Sequence, residues 1–424
     1  MENFRVVQHV IPGQHIREHP YSVRGPQEAK MMLSIKQYIP LNRPEPVPDN
    51  AITVIAVPGN TAAKELFEPI WERLCVRMKQ LGVPLRAVWI ADLCNQESTV
   101  AINEPILGEI THWNDHSRDL LHMINHFRDE MPRPLVGVAH SLGCAQLVHL
   151  STIHPRLLSA LVLYEPMILD NAPIHAAGPT KFGGNVHPGA FALKRPDLFN
   201  SLEEGQEHIR KRFAHYHPEV VARHVNVTLR PTPTRLYNKE STPGLPDGAV
   251  TLATSKYDQA MMYAIPNVIP ESAGLDKLLL PDWHPERAIP LSIGRPEPHA
   301  AMEMLPFVRA NVLWAFGSKS FASRPEAQDQ KMKLTGSGFG GSGGVKAGKV
   351  EKVVLEGGSH NFVCEDVDWT ANVAAEYFAR WWPRYLAEEK ALEEYRHLMC
   401  DPVTGKPTEA SLRCLLENGP RPKL

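Results

Sequence analysis

The chain has 424 residues, of which 43% are hydrophobic and 22% charged, and its formal net charge is −2. This composition is typical of a globular protein and excludes a disordered or collagen-like chain. The small net charge gives no global attraction to nucleic acid or to an anionic membrane. No apolar run approaches the roughly 20 residues that span a bilayer, and the opening sequence MENFRVVQHV lacks the layout of a secretory signal.

Strand and helix patterns alternate in the first part of the chain. Continuous apolar runs rich in β-branched residues predict buried strands, and apolar residues at helical spacing predict helices between them. The predicted strands are Ala51–Val57, Leu85–Ile90, Leu135–Ala139 and Leu157–Tyr164, and Glu65–Leu81 is a predicted helix. Strands separated by helices predict a mostly parallel sheet with right-handed crossovers.

The alternation stops in a long segment, residues 166–305, that is rich in proline, glycine, histidine and charge. Strand patterns return at Asn311–Phe316 and Lys352–Leu355, and an amphipathic helix follows near Asp368–Leu386. The simplest interpretation is one sheet domain with a large, mainly helical cap inserted over the carboxyl ends of its strands, the edge where ligands bind in such sheets.

This interpretation divides the chain into four parts. They are a first core part (1–165), the cap (166–305), a second core part (306–398) and a C-terminal tail (399–424). Six cysteines are scattered without a Cys-x-x-Cys pair, which indicates reduced thiols in an intracellular protein. The glycine- and serine-rich stretch Gly336–Gly344 lacks the Gly-Lys-Ser/Thr of a phosphate-binding loop. We interpret it as a flexible or tight-turning loop.

A serine elbow follows the predicted strand Leu135–Ala139. The sequence Ala139-His-Ser141-Leu-Gly143 has the small-x-Ser-x-small pattern at a junction between strand and helix. Small residues on both sides allow a sharp turn that exposes the hydroxyl, and the helix amino end favours developing negative charge. We predict that Ser141 is a nucleophile; the alternative is a structural turn, since a serine flanked by small residues is common by chance.

A serine hydroxyl needs a base to take its proton, and in this fold the acid and then the histidine follow the serine along the chain. His360 is the predicted base because it lies in a glycine-containing loop between the last β-rich run and the final helix. The loop where the acid is usual, Gly317–Ser323, has no carboxylate. Glu165, at the end of the preceding core strand, is therefore the predicted acid, with Asp170 as the fallback. The alternative for Glu165 is a surface residue before a proline.

Two backbone N–H groups should form an oxyanion hole. Leu142, directly after the nucleophile, supplies one in this fold. The loop Pro58–Thr61 after the first buried strand should supply the other, and Asn60 is the predicted donor.

Two further patterns are weak. His122 and His126 have the helical spacing of a metal pair, but Met123 stands where a zinc protease needs glutamate, which favours a solvated face. The basic run Ile209–Phe213 in the cap could meet the phosphates of a coenzyme A substrate, although a solvated helix face is the simpler interpretation.

With these residues in place, the sequence resembles a family of fungal enzymes, the peroxisomal acyl-CoA hydrolases of mycophenolic acid biosynthesis and their relatives in toxin and secondary-metabolite clusters. The resemblance extends over nearly the whole chain. The segments that carry it are Ile16–Pro20, Met123–Ser141 (MINHFRDEMPRPLVGVAHS) and Gly336–Val345.

The resemblance implies an α/β-hydrolase fold and a serine acyl-CoA thioesterase that acts in the peroxisome, with a homodimer as the expected assembly. The family serine and histidine fall on Ser141 and His360. The family acid, normally aspartate, falls on Glu165, 24 residues after the serine. Glutamate is one methylene longer, and the pair Gly143-Cys144 replaces a double glycine.

The ending Pro422-Lys423-Leu424 is a variant of the Ser-Lys-Leu address that peroxisomal import receptors bind. The alternative is a chance match, because three loosely defined positions carry little information. Together with the resemblance, this ending predicts the peroxisome matrix as the location and the import receptor as a partner.

The leading hypothesis is hydrolysis of a bulky acyl-CoA thioester through an acyl-enzyme, with no metal or redox cofactor. A carboxylic-ester hydrolase or an acyltransferase would use the same residues. A catalytically silent, hydrolase-like binding protein is a third hypothesis, which the glutamate at position 165 keeps open.

Overall fold

The computed structural model describes residues 1–169, 181–182, 185–186, 188–266 and 293–418. Two expectations fall outside these residues: the fallback acid Asp170 and the ending Pro422–Leu424. The homodimer and the limits of the cap stay predictions.

An eight-stranded sheet forms the centre of the fold. Its strands are β1 (Phe4–Pro12), β2 (Met32–Pro40), β3 (Ile52–Val57), β4 (Leu85–Ala91), β5 (Leu135–His140), β6 (Ala160–Tyr164), β7 (Asn311–Gly317) and β8 (Val350–Leu355). Their order across the sheet is β1-β2-β4-β3-β5-β6-β7-β8. β2 pairs antiparallel with β1 and with β4, and the other neighbours are parallel.

Helices lie between these strands, from β3 onward, and after the last of them. They are α1 (Glu68–Gln80), α2 (Glu97–Asn103), α3 (Trp113–His126), α4 (Leu142–Ile153), α5 (Pro188–Leu193), α6 (Leu202–Arg212), α7 (Pro218–Val227), α8 (Lys256–Tyr263), α9 (Glu297–Met304), α10 (Pro325–Leu334), α11 (Phe362–Glu365), α12 (Val367–Met399) and α13 (Glu409–Asn418).

The strands at the centre of the sheet are apolar on both faces because helices cover both faces. Every residue of β3, β5, β6 and β7 is buried. On one face α3 and α4 contribute side chains such as Leu120 and Leu147 to the core. On the other face α1 and α12 contribute Trp71 and Phe378. Burial on two faces explains why these strands read as continuous apolar runs in the sequence.

The segment between β6 and β7 carries helices α5 to α9 and a small antiparallel sheet of its own. The strands of that sheet are Leu229–Pro231, Val250–Leu252 and Leu198–Phe199, in this order. Phe199, Ile209 and Val225 belong to a separate hydrophobic cluster inside this segment. The described part of the segment therefore has a small hydrophobic core of its own.

The sequence patterns did not predict two features of the fold. The hairpin of β1 and β2 extends the sheet beyond β4. The last long helix, α12, runs from Val367 to Met399, well past the predicted end near Leu386. Among the described residues, no helix combines the length and the apolar character needed to cross a membrane.

The glycine-rich loop Gly336–Gly344 turns tightly against the end of α9. The Gly336 N–H donates to the carbonyl of Leu305 over 2.8 Å. A Cβ on Gly341 would lie 2.4 Å from the carbonyl oxygen of Pro306, so only glycine allows this approach. Of the two expectations for this loop, the structure shows the tight turn.

Candidate active site

Ser141 lies at the sharp turn between β5 and α4. Its φ of 57° and ψ of −120° are values that a non-glycine residue adopts only where its surroundings hold it. The Ser141 N–H donates to the carbonyl of Tyr164 over 3.0 Å, and the Cys144 thiol donates to the same oxygen over 3.3 Å. These contacts fix the turn against the neighbouring strand β6.

The end of β3 packs directly against this turn. A Cβ on Gly143 would lie 2.7 Å from the carbonyl oxygens of both Val57 and Pro58. A Cβ on Gly59 would lie 3.3 Å from the Cβ of Ser141. Small residues are therefore required on both sides of the contact, which explains the glycine two positions after the serine.

His360 lies between β8 and α11 and is brought to Ser141 from far along the chain. Its Nε2 is 3.0 Å from the Ser141 Oγ, and its Nδ1 is 3.1 Å from the Glu165 Oε2. Because a carboxylate only accepts, the Nδ1 of a neutral imidazole carries the proton and donates to Glu165. The Nε2 is then free to accept the proton of the serine hydroxyl.

Glu165 follows β6 at a φ of 48°, and its side chain is fully buried. Its carboxylate accepts hydrogen bonds from the Gly317 N–H over 2.5 Å, from the Ser323 hydroxyl over 2.8 Å and from the Ser320 hydroxyl. Burial raises the pKa of this carboxyl, but its bond to His360 and these donors hold the pKa below its ordinary value. Glu165 is therefore an ionised, buried carboxylate beside the imidazole.

The loop Gly317–Ser323 has a role that the sequence reasoning missed. The loop has no carboxylate of its own, yet its backbone and two of its serines donate to the carboxylate that follows β6. The sequence signal that could have indicated this role is the high proportion of small and hydroxyl-bearing residues directly after a buried strand. The three donors hold the longer glutamate side chain in one position.

His140 is a second residue that the sequence reasoning missed. It precedes Ser141 and is buried, and its Nε2–H donates to the backbone carbonyl of His360 over 2.9 Å. Burial and the neighbouring His360 lower the pKa of His140 to about 3, so its ring is neutral. This bond ties the loop that carries His360 to the end of the strand that precedes Ser141.

The two predicted oxyanion donors flank the turn. Leu142 is the first residue of α4, so its N–H has no acceptor in a preceding helical turn. Asn60 lies one residue after Gly59, which approaches Ser141 as described above. The Asn60 side chain is already engaged, since its Oδ1 accepts from Gln96 over 2.8 Å and its Nδ2 donates to the carbonyl of Gln259 over 3.4 Å. The backbone of Asn60, rather than its side chain, is therefore the group available to a ligand.

The two weaker patterns lie elsewhere. His122 and His126 are both exposed on α3, and the described residues contain no group of three side chains placed to hold a metal ion. In the basic run, Arg210 and Lys211 are exposed, whereas Arg212 is half-buried.

A mostly parallel sheet with a strand–serine–helix turn at its centre, beside a histidine and a buried carboxylate, defines an α/β-hydrolase. The comparison with known proteins gives the family. The chain is 34% identical over 411 residues to the type I acyl-CoA thioesterase mpaH of Penicillium brevicompactum, covering 93% of this chain and 92% of the relative. The protein belongs to the family of this thioesterase.

Further relatives agree with this assignment. The mpaH thioesterase of Penicillium roqueforti (strain FM164) is 34% identical over 409 residues, covering 93% of this chain and 92% of the relative. The abhydrolase domain-containing protein AFT2-1 of Alternaria alternata is 23% identical over 251 residues, covering 59% of this chain and 85% of that protein. No family model matches the chain.

Solved structures agree on the fold. The peroxisomal α/β-hydrolase Lpx1 of Saccharomyces cerevisiae has a TM-score of 0.68 at 16% identity, covering 94% of this chain and 99% of the other. E-2-(acetamidomethylene)succinate hydrolase has a TM-score of 0.55 at 12% identity, covering 88% of this chain and 99% of the other. At these identities the likeness concerns the fold alone.

Proposed function

We propose that this protein is a serine hydrolase that cleaves an acyl-CoA thioester through a covalent acyl-enzyme. The observation that carries the proposal is the continuous row of contacts from Ser141 through His360 to Glu165, at 3.0 and 3.1 Å. The thioester class is supported by the relatives, which are named acyl-CoA thioesterases and match 93% of the chain.

In the first half of the reaction, the Ser141 Oγ attacks the carbonyl carbon of the thioester while the His360 Nε2 takes the hydroxyl proton. The carbonyl electron pair moves onto oxygen, where the N–H groups of Leu142 and Asn60 stabilise the negative charge. When the carbonyl re-forms, the carbon–sulfur bond breaks and the sulfur leaves with the proton from His360. The acyl group stays on Ser141 as an ester.

In the second half, a water molecule replaces the thiol. His360 takes a proton from the water, whose oxygen attacks the ester carbon, and then returns a proton to the Ser141 Oγ as the ester bond breaks. The products are the free acid and the restored enzyme. Throughout the cycle the buried, ionised Glu165 holds the imidazole in one tautomer and stabilises its charged form.

The test uses Ser141→Ala with Ser151→Ala as the matched control. Ser151 is a buried serine on the same helix whose hydroxyl donates to the carbonyl of Val148, away from the turn. Release of free thiol from a panel of acyl-CoA thioesters is measured for the wild type and both variants. We expect Ser141→Ala to lose turnover with its melting temperature kept, while Ser151→Ala retains activity.

The same panel separates the competing hypotheses. Turnover of oxygen esters without thiol release indicates a carboxylic-ester hydrolase, and transfer of the acyl group to an added alcohol indicates an acyltransferase. Labelling by a fluorophosphonate probe requires an activated serine, so absence of labelling indicates a silent binding protein. Full activity in Ser141→Ala rejects the mechanism.

We also propose that the protein resides in the peroxisome matrix. The proposal is supported by the ending Pro422-Lys423-Leu424, which is of the kind that import receptors bind. Deletion of these three residues should leave a fluorescently tagged protein in the cytosol, with the tag placed at the amino end. Unchanged import after the deletion rejects this location signal.

A further inference from the structure

A small cavity lies between the cap and the core, beside the loop that follows β3. Its volume is about 30 Å³, which is room for roughly two water-sized groups. Thr61 of the loop, Glu97 at the start of α2, and the cap residues Arg195, His208 and Arg212 line it. Thr61 comes two residues after Gly59, which approaches Ser141. One residue of the cavity wall therefore belongs to the loop that approaches Ser141.

Arg212 lies at the end of α6 and has no carboxylate partner within ion-pair distance in the described part of the chain. Its guanidinium lies 5.8 Å from the ring centre of Phe191 and 5.6 Å from that of Phe213. Its buried Nε has no hydrogen-bond acceptor among the described residues. A guanidinium that lies beside two aromatic rings, with its Nε unpaired among the described residues, is placed to bind an anion.

Arg195 adds a second positive charge to the same cavity. One of its terminal nitrogens donates to the carbonyl of Thr254 over 3.2 Å, and its buried Nε meets no acceptor in the part of the chain that the structure describes. Burial and the repulsion of Arg212 lower the pKa of Arg195 below its ordinary value. The same causes lower the pKa of the nearby His208. The positive charge of the two arginines therefore disfavours protonation of nearby groups and favours binding of an anion.

The carboxyl groups nearby do not neutralise this charge. Burial, followed by the charge of Asp92, raises the pKa of Glu97 to about 8, so Glu97 is mostly neutral at pH 7. Its Oε1 accepts from the Thr254 hydroxyl over 2.9 Å. Asp197 is already paired with Lys256 over 3.3 Å. Among the residues that the structure describes, the two arginines thus share a cavity without a balancing carboxylate, which is unusual for groups removed from water.

We propose that the cavity lined by Arg195 and Arg212 binds a phosphate group of the coenzyme A moiety. The proposal rests on the proposed thioesterase function and assigns the residues that recognise the leaving group. The pantetheine arm separates the thioester from the phosphates, so a phosphate site has to lie away from Ser141, on the cap side. The volume admits oxygen atoms of a phosphoryl group and leaves the rest of the nucleotide outside.

The neighbouring basic residues provide an internal control. Arg210 and Lys211 precede Arg212 on α6, but both are exposed to solvent. They lie 3.9 and 3.2 Å from the carboxylate of Glu207. Both lie on a solvated face beside this one carboxylate, so Arg210→Gln removes the same type of charge outside the cavity.

The experiment compares Arg212→Gln with Arg210→Gln on two substrates that carry the same acyl group. One is the acyl-CoA, and the other is the thioester of N-acetylcysteamine, which has no phosphate. We expect Arg212→Gln to raise KM for the acyl-CoA by roughly 10- to 100-fold, since charge-assisted hydrogen bonds to phosphate are lost. KM for the short thioester and kcat for both substrates stay unchanged, and Arg210→Gln changes KM by less than about threefold.

An equal rise of KM for both thioesters, or no rise for the acyl-CoA, overturns the assignment. Thermal melting checks that each variant folds. If Arg212→Gln does not fold, Arg195→Gln is tested with the same two substrates instead. Calorimetric titration with free coenzyme A separates this inference from the proposed function. If coenzyme A binding depends on Arg212 but the protein cleaves no thioester, the proposed function is rejected and the phosphate site is kept. If the protein cleaves acyl-CoA thioesters with a KM that does not depend on Arg212, the phosphate site is rejected and the proposed function is kept.

Discussion

Replacement of Glu165 tests the carboxylate position most directly. Glu165→Asp shortens the side chain by one carbon–carbon bond, about 1.5 Å. The Gly317 N–H and the Ser323 hydroxyl, at 2.5 and 2.8 Å, are placed to hold the longer side chain. The contact with the His360 Nδ1, now 3.1 Å, therefore widens to about 4 Å, beyond hydrogen-bond distance.

The magnitude follows from the type of bond that is lost. A hydrogen bond to a charged group contributes about 1.5–3 kcal/mol, and each 1.4 kcal/mol corresponds to about a factor of ten in rate. We expect Glu165→Asp to lower kcat by roughly 10- to 100-fold with KM nearly unchanged. Glu165→Gln should lower kcat further, by about 10³–10⁴, because an amide neither stabilises the imidazolium nor fixes the productive tautomer.

The assay is thiol release from an acyl-CoA, with Ser323→Ala as a control that removes one donor to Glu165 and keeps the carboxylate. We expect Ser323→Ala to lower kcat by less than about tenfold, since one buried hydrogen bond is lost. Melting temperatures report whether each variant folds. Wild-type kcat in Glu165→Gln would refute the role of the carboxylate. A kcat above wild type in Glu165→Asp would refute the claim that the donors of the Gly317–Ser323 loop are placed for glutamate.

Three further substitutions test other contacts. His140→Phe removes the donor to the His360 carbonyl and should lower kcat about five- to tenfold; His140→Gln can donate to the same oxygen, so equal rates in both variants would contradict the positioning role. Gly143→Ala places a Cβ 2.7 Å from the carbonyl oxygens of Val57 and Pro58, so we expect kcat to fall at least about 100-fold. Wild-type kcat in this variant would show that the end of β3 can move aside without displacing Ser141. Burial raises the pKa of Glu97 from 4.5 to about 8, so the folded protein holds a proton that the unfolded chain releases, and stability falls as pH rises through this window. The difference in unfolding free energy between Glu97→Gln and wild type, measured by urea denaturation, should therefore grow by a few kcal/mol in favour of the variant from pH 5 to pH 9. A difference between the two proteins that stays constant with pH contradicts a raised pKa of Glu97.

The local sequence was sufficient to predict the turn at Ser141. An apolar run, a serine between small residues and a helical pattern occur within one short stretch, so the signal does not depend on distant contacts. His360 could be placed because chain order in this fold restricts the base to the loop after the last core strand. Glu165 followed by elimination, since the usual loop has no carboxylate. The structure places the side chains of all three residues together, while their catalytic roles stay a prediction.

Other features depend on contacts between segments that are far apart in the chain. The donation of Ser320 and Ser323 to Glu165 spans more than 150 residues, and the bond from His140 to His360 spans 220. Local pattern carries no information on such pairs, because strand order and loop geometry place them together only after the sheet has formed.

The basic run Ile209–Phe213 shows the same contrast between local pattern and tertiary packing. Its sequence gives three consecutive positive residues on one predicted helix and cannot say which of them faces the core. Helical geometry turns successive side chains by about 100°, so Arg210 and Lys211 lie in solvent while Arg212 lines the cavity. The sequence thus determined the class of chemistry through short-range patterns. Only tertiary packing decided which polar groups are buried together, because burial depends on the elements that cover a side chain rather than on its neighbours in the chain.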